Sequence, residues 1–431
     1  MNYLRQNLET SLILGAVVFA AMFIPGLMWQ YWRHGQFSFR RMLGWAAVCV
    51  YTTALFVYTL MPLPENGAAW CATHSVRSNF TPFGFINDIQ RETVGMSTAQ
   101  ILRSNVVLQV VFNVVLFLPF GAIMHRYFGR GIVFTTLAGL ATSTFIEASQ
   151  YTGIFGIYPC AIRVADVDDL IMNTAGALIG ALIAPLLLWW MPSARQLAAK
   201  RLAPRRVTAA RRWTGMLLDA ALFLGIQMGT TVVLFMGRWL LAGSAPVEGA
   251  SWEPLVAGGV ALVVVFVGPA LTGRGASAGQ KIVWLTPKWI SRDGTHLTDG
   301  NLALRIARSL VVAGPYVASE LVASVSELVA STVTVASATA ATSTAAHAAT
   351  ATATTAAISA STLSGVLGLV STLAVLLAIL MVLGSRTHRS LSGWLTGAMF
   401  VDSRDPYAGG PDNEAPLPLT DAKKVELGLP V

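Results

Sequence analysis

Apolar runs about 20 residues long recur along this chain from end to end, and no other feature constrains its fold as strongly. They fall at roughly 11–32, 42–62, 105–124, 131–152, 166–190, 213–241, 254–272, 309–330 and 361–384. A helix needs about 20 such residues to cross a hydrocarbon layer, and inside that layer every backbone N–H and C=O must be bonded within the segment. The expectation is an all-α fold: a polytopic transmembrane helical bundle of about nine spans. Composition agrees, with 54% hydrophobic and 12% charged residues, where a soluble domain carries about 25% charged. The run from Ser11 to Trp32 is too long for the core of a cleavable signal and is read as a retained span.

The net charge of +8 would suggest a nucleic-acid partner in a soluble protein. Here the basic residues sit in short loops, at 33–41, 125–130, 195–212, 274–305 and 386–389, and the intervening loops are poorer in them. That alternation sets the N-terminus outside and the C-terminus in the cytoplasm, and it removes the case for nucleic acid. Four regions follow. Residues 1–191 hold about five spans. The 192–212 segment has seven basic residues, no acidic ones, and Pro192 and Pro204. It reads as a cytoplasmic linker lying against anionic headgroups. Residues 213–402 hold about four spans and include an Ala/Thr/Ser-rich insert at 330–362, expected as an external, poorly ordered segment or a loose helical hairpin. Residues 403–431 read as a flexible tail.

Polar groups inside the spans carry the functional information. Asn105, Gln109 and Asn113 share one helical face, as do Gly139, Ser143, Glu147 and Gln150 on the next run. Asp169 and Asn173 continue into Gly176, Gly180 and Ala184, and the G-x-x-x-G pair allows a second helix to approach closely. In the assigned topology Glu147, Gln150, Asp168, Asp169 and Asn173 lie near the outer surface. Arg163 is brought to the same level by the 153–165 loop. An ionisable group at membrane depth is a functional-site hypothesis by default, whereas Ser, Asn and Gln also serve simply as interhelical glue. No ligand spacing for a metal occurs, and no cofactor is expected. Of three cysteines, Cys49 lies in an apolar run. Cys71 and Cys160 fall in external loops, where either a disulfide or two separate thiols is chemically allowed.

The order Asn79-Phe-Thr-Pro-Phe83, Asn113-Val-Val-Leu-Phe-Leu-Pro-Phe-Gly121, Glu147-Ala-Ser-Gln150, Arg163, Asp166-Val-Asp-Asp169 and Asn173-Thr-Ala-Gly176 resembles the VanZ-like family over roughly residues 40–190. The resemblance implies a bacterial cytoplasmic-membrane protein, in a family whose named member is linked to resistance to the glycopeptide teicoplanin. It also marks Asn113, Pro119, Gly121, Glu147, Gln150, Arg163, Asp168, Asp169, Asn173 and Gly176 as family positions. The second half, roughly 206–402, resembles an RDD domain. Arg212 and Asp219 lie on one face, followed by Ser277-Ala-Gly-Gln-Lys281, Asp293-Gly294, Leu304-Arg305 and His388-Arg-Ser-Leu-Ser-Gly393. Gly393 stands where the closing segment would carry an aspartate, and the Ala/Thr/Ser stretch reads as an insertion. From the residues alone, Asp219 is a buried acid within reach of Arg212, and the pair reads as a structural ion pair.

The leading functional expectation is an envelope protein whose first half binds an extracytoplasmic amphiphile: a cell-wall lipid intermediate, a phospholipid headgroup or a lipoglycopeptide. The alternatives are a transporter using intramembrane acids, an intramembrane enzyme, for which no nucleophile–base pair is evident, and a structural membrane subunit. Membrane lipids are the expected partners, and the sequence leaves the oligomeric state open.

Overall fold

The apolar runs become helices because no other open structure satisfies the backbone in lipid. The computed structural model describes residues 2–74, 78–243, 252–339, 344–384, 388–410 and 414–429. Among these, eight helices are long and apolar enough to cross a membrane: Asn7–His34, Phe39–Leu60, Asn105–Tyr127, Ile132–Tyr151, Val167–Leu187, Ala209–Ala242, Glu253–Leu271 and Gly365–Gly384. The chain is a polytopic helical membrane protein. The remaining expected span, 309–330, falls in the helix Leu302–Thr339, and many of its side chains lie outside the described residues. So do residues 244–251 and 385–387 of the loops used above for orientation.

The chain divides into two units, Met1–Arg201 and Leu202–Val431. In the first, α1 (Asn2–His34) packs on α2 (Phe39–Leu60). A short amphipathic helix, α3 (Gly84–Glu92), follows in the connecting loop. Beyond it α4 (Asn105–Ala122), α5 (Ile132–Tyr151) and α6 (Val167–Leu187) form a bundle. The α4–α6 contact depends on missing side chains. A Cβ on Gly121 would run into the Ala177 carbonyl, one on Gly176 into the Val114 carbonyl, and one on Gly180 into the Leu118 carbonyl. Ala177, Ala181 and Ala184 complete the buried face of α6 at zero exposure. In lipid, helices gain from such close van der Waals approach rather than from a hydrophobic difference between helix and solvent. At the opposite end of the unit, Arg41 is fully buried. It donates to the carbonyls of Tyr127 (2.6 Å) and Pro192 (3.1 Å) and lies 4.3 Å from the Tyr127 ring centroid.

In the second unit α7 (Ala209–Ala242) packs on α8 (Glu253–Leu262), and α9 (Leu302–Thr339) packs on α10 (Thr344–Gly384). The described backbone of the 330–362 insert is helical over 330–339 and 344–362. A small antiparallel sheet, absent from the sequence reading, is added to the all-α plan. It has the order β2 (Leu297–Thr298), β1 (Leu285–Ile290), β3 (Met399–Asp402). Pro287 lies in the central strand yet leaves no ladder bond unmade. β2 reaches only Trp289 and Ile290, so Pro287 is flanked by β3 alone.

Two regional expectations change. The 192–212 segment is not one continuous linker. Arg41 holds the Pro192 carbonyl in the first unit, while the Arg205 N–H and the Arg211 guanidinium bond Asp402 in the second. Arg195, Lys200 and Arg206 of the same segment are exposed. The tail expected to be flexible is folded. Leu419 and Leu427 bury against Leu297, Met399, Val401 and Ala408. The helix Asp421–Glu426 is pinned where Lys423 pairs with Asp405 at 2.8 Å.

Candidate functional site

The first turn of α6 and the loop before it gather the polar residues of the first unit. Asp166 is the N-cap of α6, and its Oδ1 accepts the Asp168 N–H at 2.9 Å, satisfying one of the orphan donors at the helix start. Asn79 then fastens the 63–104 loop to this point. Its amide donates to both Asp166 oxygens at 3.3 Å, its backbone N–H donates to the Ala165 carbonyl, and its carbonyl accepts from Val167. Asp168 turns the other way. Its two oxygens accept the Phe83 N–H at 2.5 Å and the Phe85 N–H at 2.9 Å, so a carboxylate sits on the N-terminus of α3. Phe83 itself adopts the left-handed region, with φ of 61°.

Glu147, from the buried face of α5, accepts the Asp166 N–H through Oε2 at 3.0 Å. Asp169 accepts from Asn113 through Oδ1. Each therefore commits one oxygen and keeps the other free of hydrogen bonds among the described contacts. Deeper in the bundle Asn173 donates to Ser143 Oγ at 2.9 Å. Gln150 and Arg163 both close the C-terminal end of α2. Gln150 donates to the Thr59 carbonyl at 2.8 Å, and Arg163 donates to those of Tyr58 (2.9 Å) and Thr59 (3.0 Å). These carbonyls have no intrahelical donor, so a side-chain amide and a guanidinium supply the missing bonds. Arg163 is exposed and lies within electrostatic reach of Glu147 and Asp169 without a direct ion pair among the described contacts.

The seven residues singled out in this unit thus converge, but they divide by role. Asp168, Gln150 and Asn113 are bonded to protein partners, and Asn173 donates to Ser143 Oγ while its buried Oδ1 has no hydrogen-bond partner among the described residues. Glu147 and Asp169 each leave an oxygen without a hydrogen bond among the described contacts, and Arg163 beside them is exposed. Asn105 and Gln109 do not join the cluster and are exposed on α4. Over it, Cys71 and Cys160 are joined by a disulfide, with Cα atoms 5.8 Å apart, which ties the helix Gly67–Thr73 to the 153–165 loop. Cys49 is a buried free thiol. Among the described residues no group of His, Cys, Asp and Glu is arranged to hold a metal ion. Asn79 and Asp166 are structural keystones that the sequence reading quoted in motifs without assigning them a place in the site.

In the second unit Arg212 and Asp219 share one buried region without forming the expected direct ion pair among the described contacts. Asp219 accepts the Ser277 hydroxyl at 2.6 Å and the Gly279 N–H at 2.7 Å. Arg212 donates to Ser390 Oγ at 2.9 Å and lies 3.2 Å from the Phe400 ring centroid. The turn Ser277–Lys281 competes successfully for the carboxylate because its N–H and hydroxyl are already placed. Arg308, 3% exposed, joins the group by donating to Gln280 Oε1 at 3.3 Å and to the Gly275 carbonyl. It went unnoticed in the sequence, where it is one arginine at the start of an apolar run.

A protein-family model described as VanZ/LLP1 matches residues 48–188. No curated protein and no solved structure matches the chain. The matched stretch spans α2 to α6 and contains the whole acidic cluster with its disulfide. This membrane protein therefore carries a VanZ-like domain at residues 48–188.

Proposed function

We propose that the VanZ-like domain binds the polar head of an amphiphile at the extracytoplasmic end of its bundle, and that the protein acts in the bacterial cell envelope. The observation that carries this reading is the convergence of Glu147 and Asp169, each with one uncommitted carboxylate oxygen, beside the exposed Arg163. Such a set accepts from ammonium and hydroxyl groups and donates to an anion, which matches sugars, peptides and headgroups carrying both. Two features support an outer location. The alternation of basic loops favours an outside position for this end, and the Cys71–Cys160 disulfide suits an oxidising compartment. A cell-wall lipid intermediate, a phospholipid headgroup and a teicoplanin-type lipoglycopeptide all fit that chemistry, and the last would connect the domain to glycopeptide resistance.

The test is teicoplanin susceptibility in a host lacking the protein. Wild type, Glu147→Ala, Asp169→Ala and empty vector are compared, with membrane accumulation checked in each. Protection by wild type and its loss in both variants is the expected result. Variants that protect as well as wild type would remove these carboxylates from the function. The second unit resembles an RDD domain in the order of its motifs, and we assign it no activity on that ground.

A further inference from the structure

The second unit contains a cavity of about 490 Å³ that the VanZ-like site does not involve. That volume lies within the range of small-molecule sites, roughly 300–1,000 Å³. Its wall is divided by chemistry. Leu217, Phe223, Leu224 and Phe266 line one part, and Arg308, Ser390 and Ser392 line the other. Leu217 and Leu224 are 46% and 60% exposed and belong to the membrane-spanning helix Ala209–Ala242. The apolar part therefore opens where acyl chains, rather than water, lie against the protein.

The polar end carries excess positive charge. Asp219 is its one carboxylate, and both its oxygens are held by Ser277 and Gly279. Arg212 and Arg308 are 1% and 3% exposed, and neither belongs to an ion pair among the described residues. Both keep a buried Nε without a hydrogen-bond partner. Two buried guanidinium groups, each with an unfilled donor, beside one carboxylate leave a net positive charge that is costly in a low-dielectric setting, and a phosphate oxygen is the acceptor that their fork geometry fits best.

We propose that this cavity is a binding site for an anionic phospholipid. The phosphate lies against Arg308 and the hydroxyls of Ser390 and Ser392, balancing the second positive charge supplied by Arg212. The acyl chain runs along Phe223 and Phe266 and leaves between Leu217 and Leu224. The site selects charge at one end and an apolar chain at the other, so neither inorganic phosphate nor a zwitterionic lipid satisfies it as well.

The full-length protein, purified in mild detergent, is titrated with phosphatidylglycerol and separately with phosphatidylcholine, and retained lipid is counted by native mass spectrometry. One phosphatidylglycerol should be retained at least tenfold more tightly than phosphatidylcholine, and millimolar inorganic phosphate should not displace it. Arg308→Gln should weaken retention at least tenfold. Because Arg308 also holds the Gly275 carbonyl, Ala378→Phe tests the cavity without touching its charges, since Ala378 lines the wall. It should abolish retention while the protein still accumulates as a monodisperse species. Leu217→Phe at the mouth replaces it where accumulation fails. Equal retention of the two lipids, unchanged retention in the cavity-filling variant, displacement by inorganic phosphate, or a second copy of the chain filling the site would each overturn the proposal.

Discussion

The carboxylate of Asp168 accepts the backbone N–H of Phe83 at 2.5 Å, joining the first turn of α6 to the start of α3 across 85 positions of sequence. Its second oxygen takes the Phe85 N–H. A charged acceptor bonded to two N–H groups at a helix start is worth more than a neutral one, about 1.5–3 kcal/mol per bond. Asp168→Ala should therefore lower the thermal unfolding midpoint of the purified protein and open the 78–104 region to protease. Asp168→Asn, with one acceptor oxygen, should fall between the two. Protease resistance equal to wild type in the alanine variant would show that the loop is held by other contacts.

The disulfide supplies a second, independent restraint on the same loop. Cys71 and Cys160 are linked, and Cys49 is a buried free thiol. A membrane-impermeant maleimide should therefore leave intact cells' protein unlabelled, and reduction should add two labels, both lost in Cys71→Ser/Cys160→Ser. No label even after reduction would place the pair on the cytosolic side, beyond the reagent's reach, and reverse the assigned topology, whereas labelling without reduction would show an external pair that is not bridged.

What could be read beforehand follows from how local the determining physics is. The spans were legible because lipid demands a long apolar run from each one. The inward faces of α5 and α6 were legible because Gly139, Ser143 and Glu147, or Gly176 and Gly180, repeat at helical spacing. Asn105 and Gln109 obey the same spacing as Asn113, yet they point outward, since periodicity gives a face and not its neighbour. The bonds that fix the site were not legible. Asp168 to Phe83 and Gln150 to Thr59 join distant loops and helix ends through backbone groups that every residue possesses. The strand Leu285–Ile290 was hidden by Pro287 and by a partner, Met399–Asp402, that lies more than a hundred residues away.

The small residues of α4 and α6 give a packing prediction. Gly176 faces the Val114 carbonyl and Gly180 the Leu118 carbonyl too closely for any added carbon. Backbone cannot move aside as a side chain can, so overpacking here should cost at least the usual 1–3 kcal/mol. Gly180→Leu should fail to accumulate in membranes, and Gly176→Ala should accumulate at a reduced level with a lowered unfolding midpoint. Gly225→Ala, at a position on α7 with open space around it, is the control and should behave as wild type. Normal accumulation of Gly180→Leu would mean that α4 and α6 can separate without loss.

Asp402 makes the stability of the second unit sensitive to acid. Burial pushes its carboxyl upward, but this is outweighed by hydrogen bonds from Arg404 (2.6 and 2.8 Å) and by the charge of Arg211 at 2.9 Å, so the group is held below its ordinary value of 3.8. A depressed carboxyl contributes stability that is complete above the unfolded value and disappears as pH falls through the folded one. The loss should therefore begin near pH 4 and deepen below it. Asp402→Asn should remove that acid-dependent part, leaving a flatter profile between pH 5 and pH 3. It should also be less stable at neutral pH, where it strands Arg211 and Arg404 without their carboxylate. The check is the unfolding midpoint of the purified protein measured at intervals across that range for both proteins. Parallel profiles would show that Asp402 stays protonated or deprotonated in both states, and that the Arg211–Asp402–Arg404 contact does not couple folding to pH.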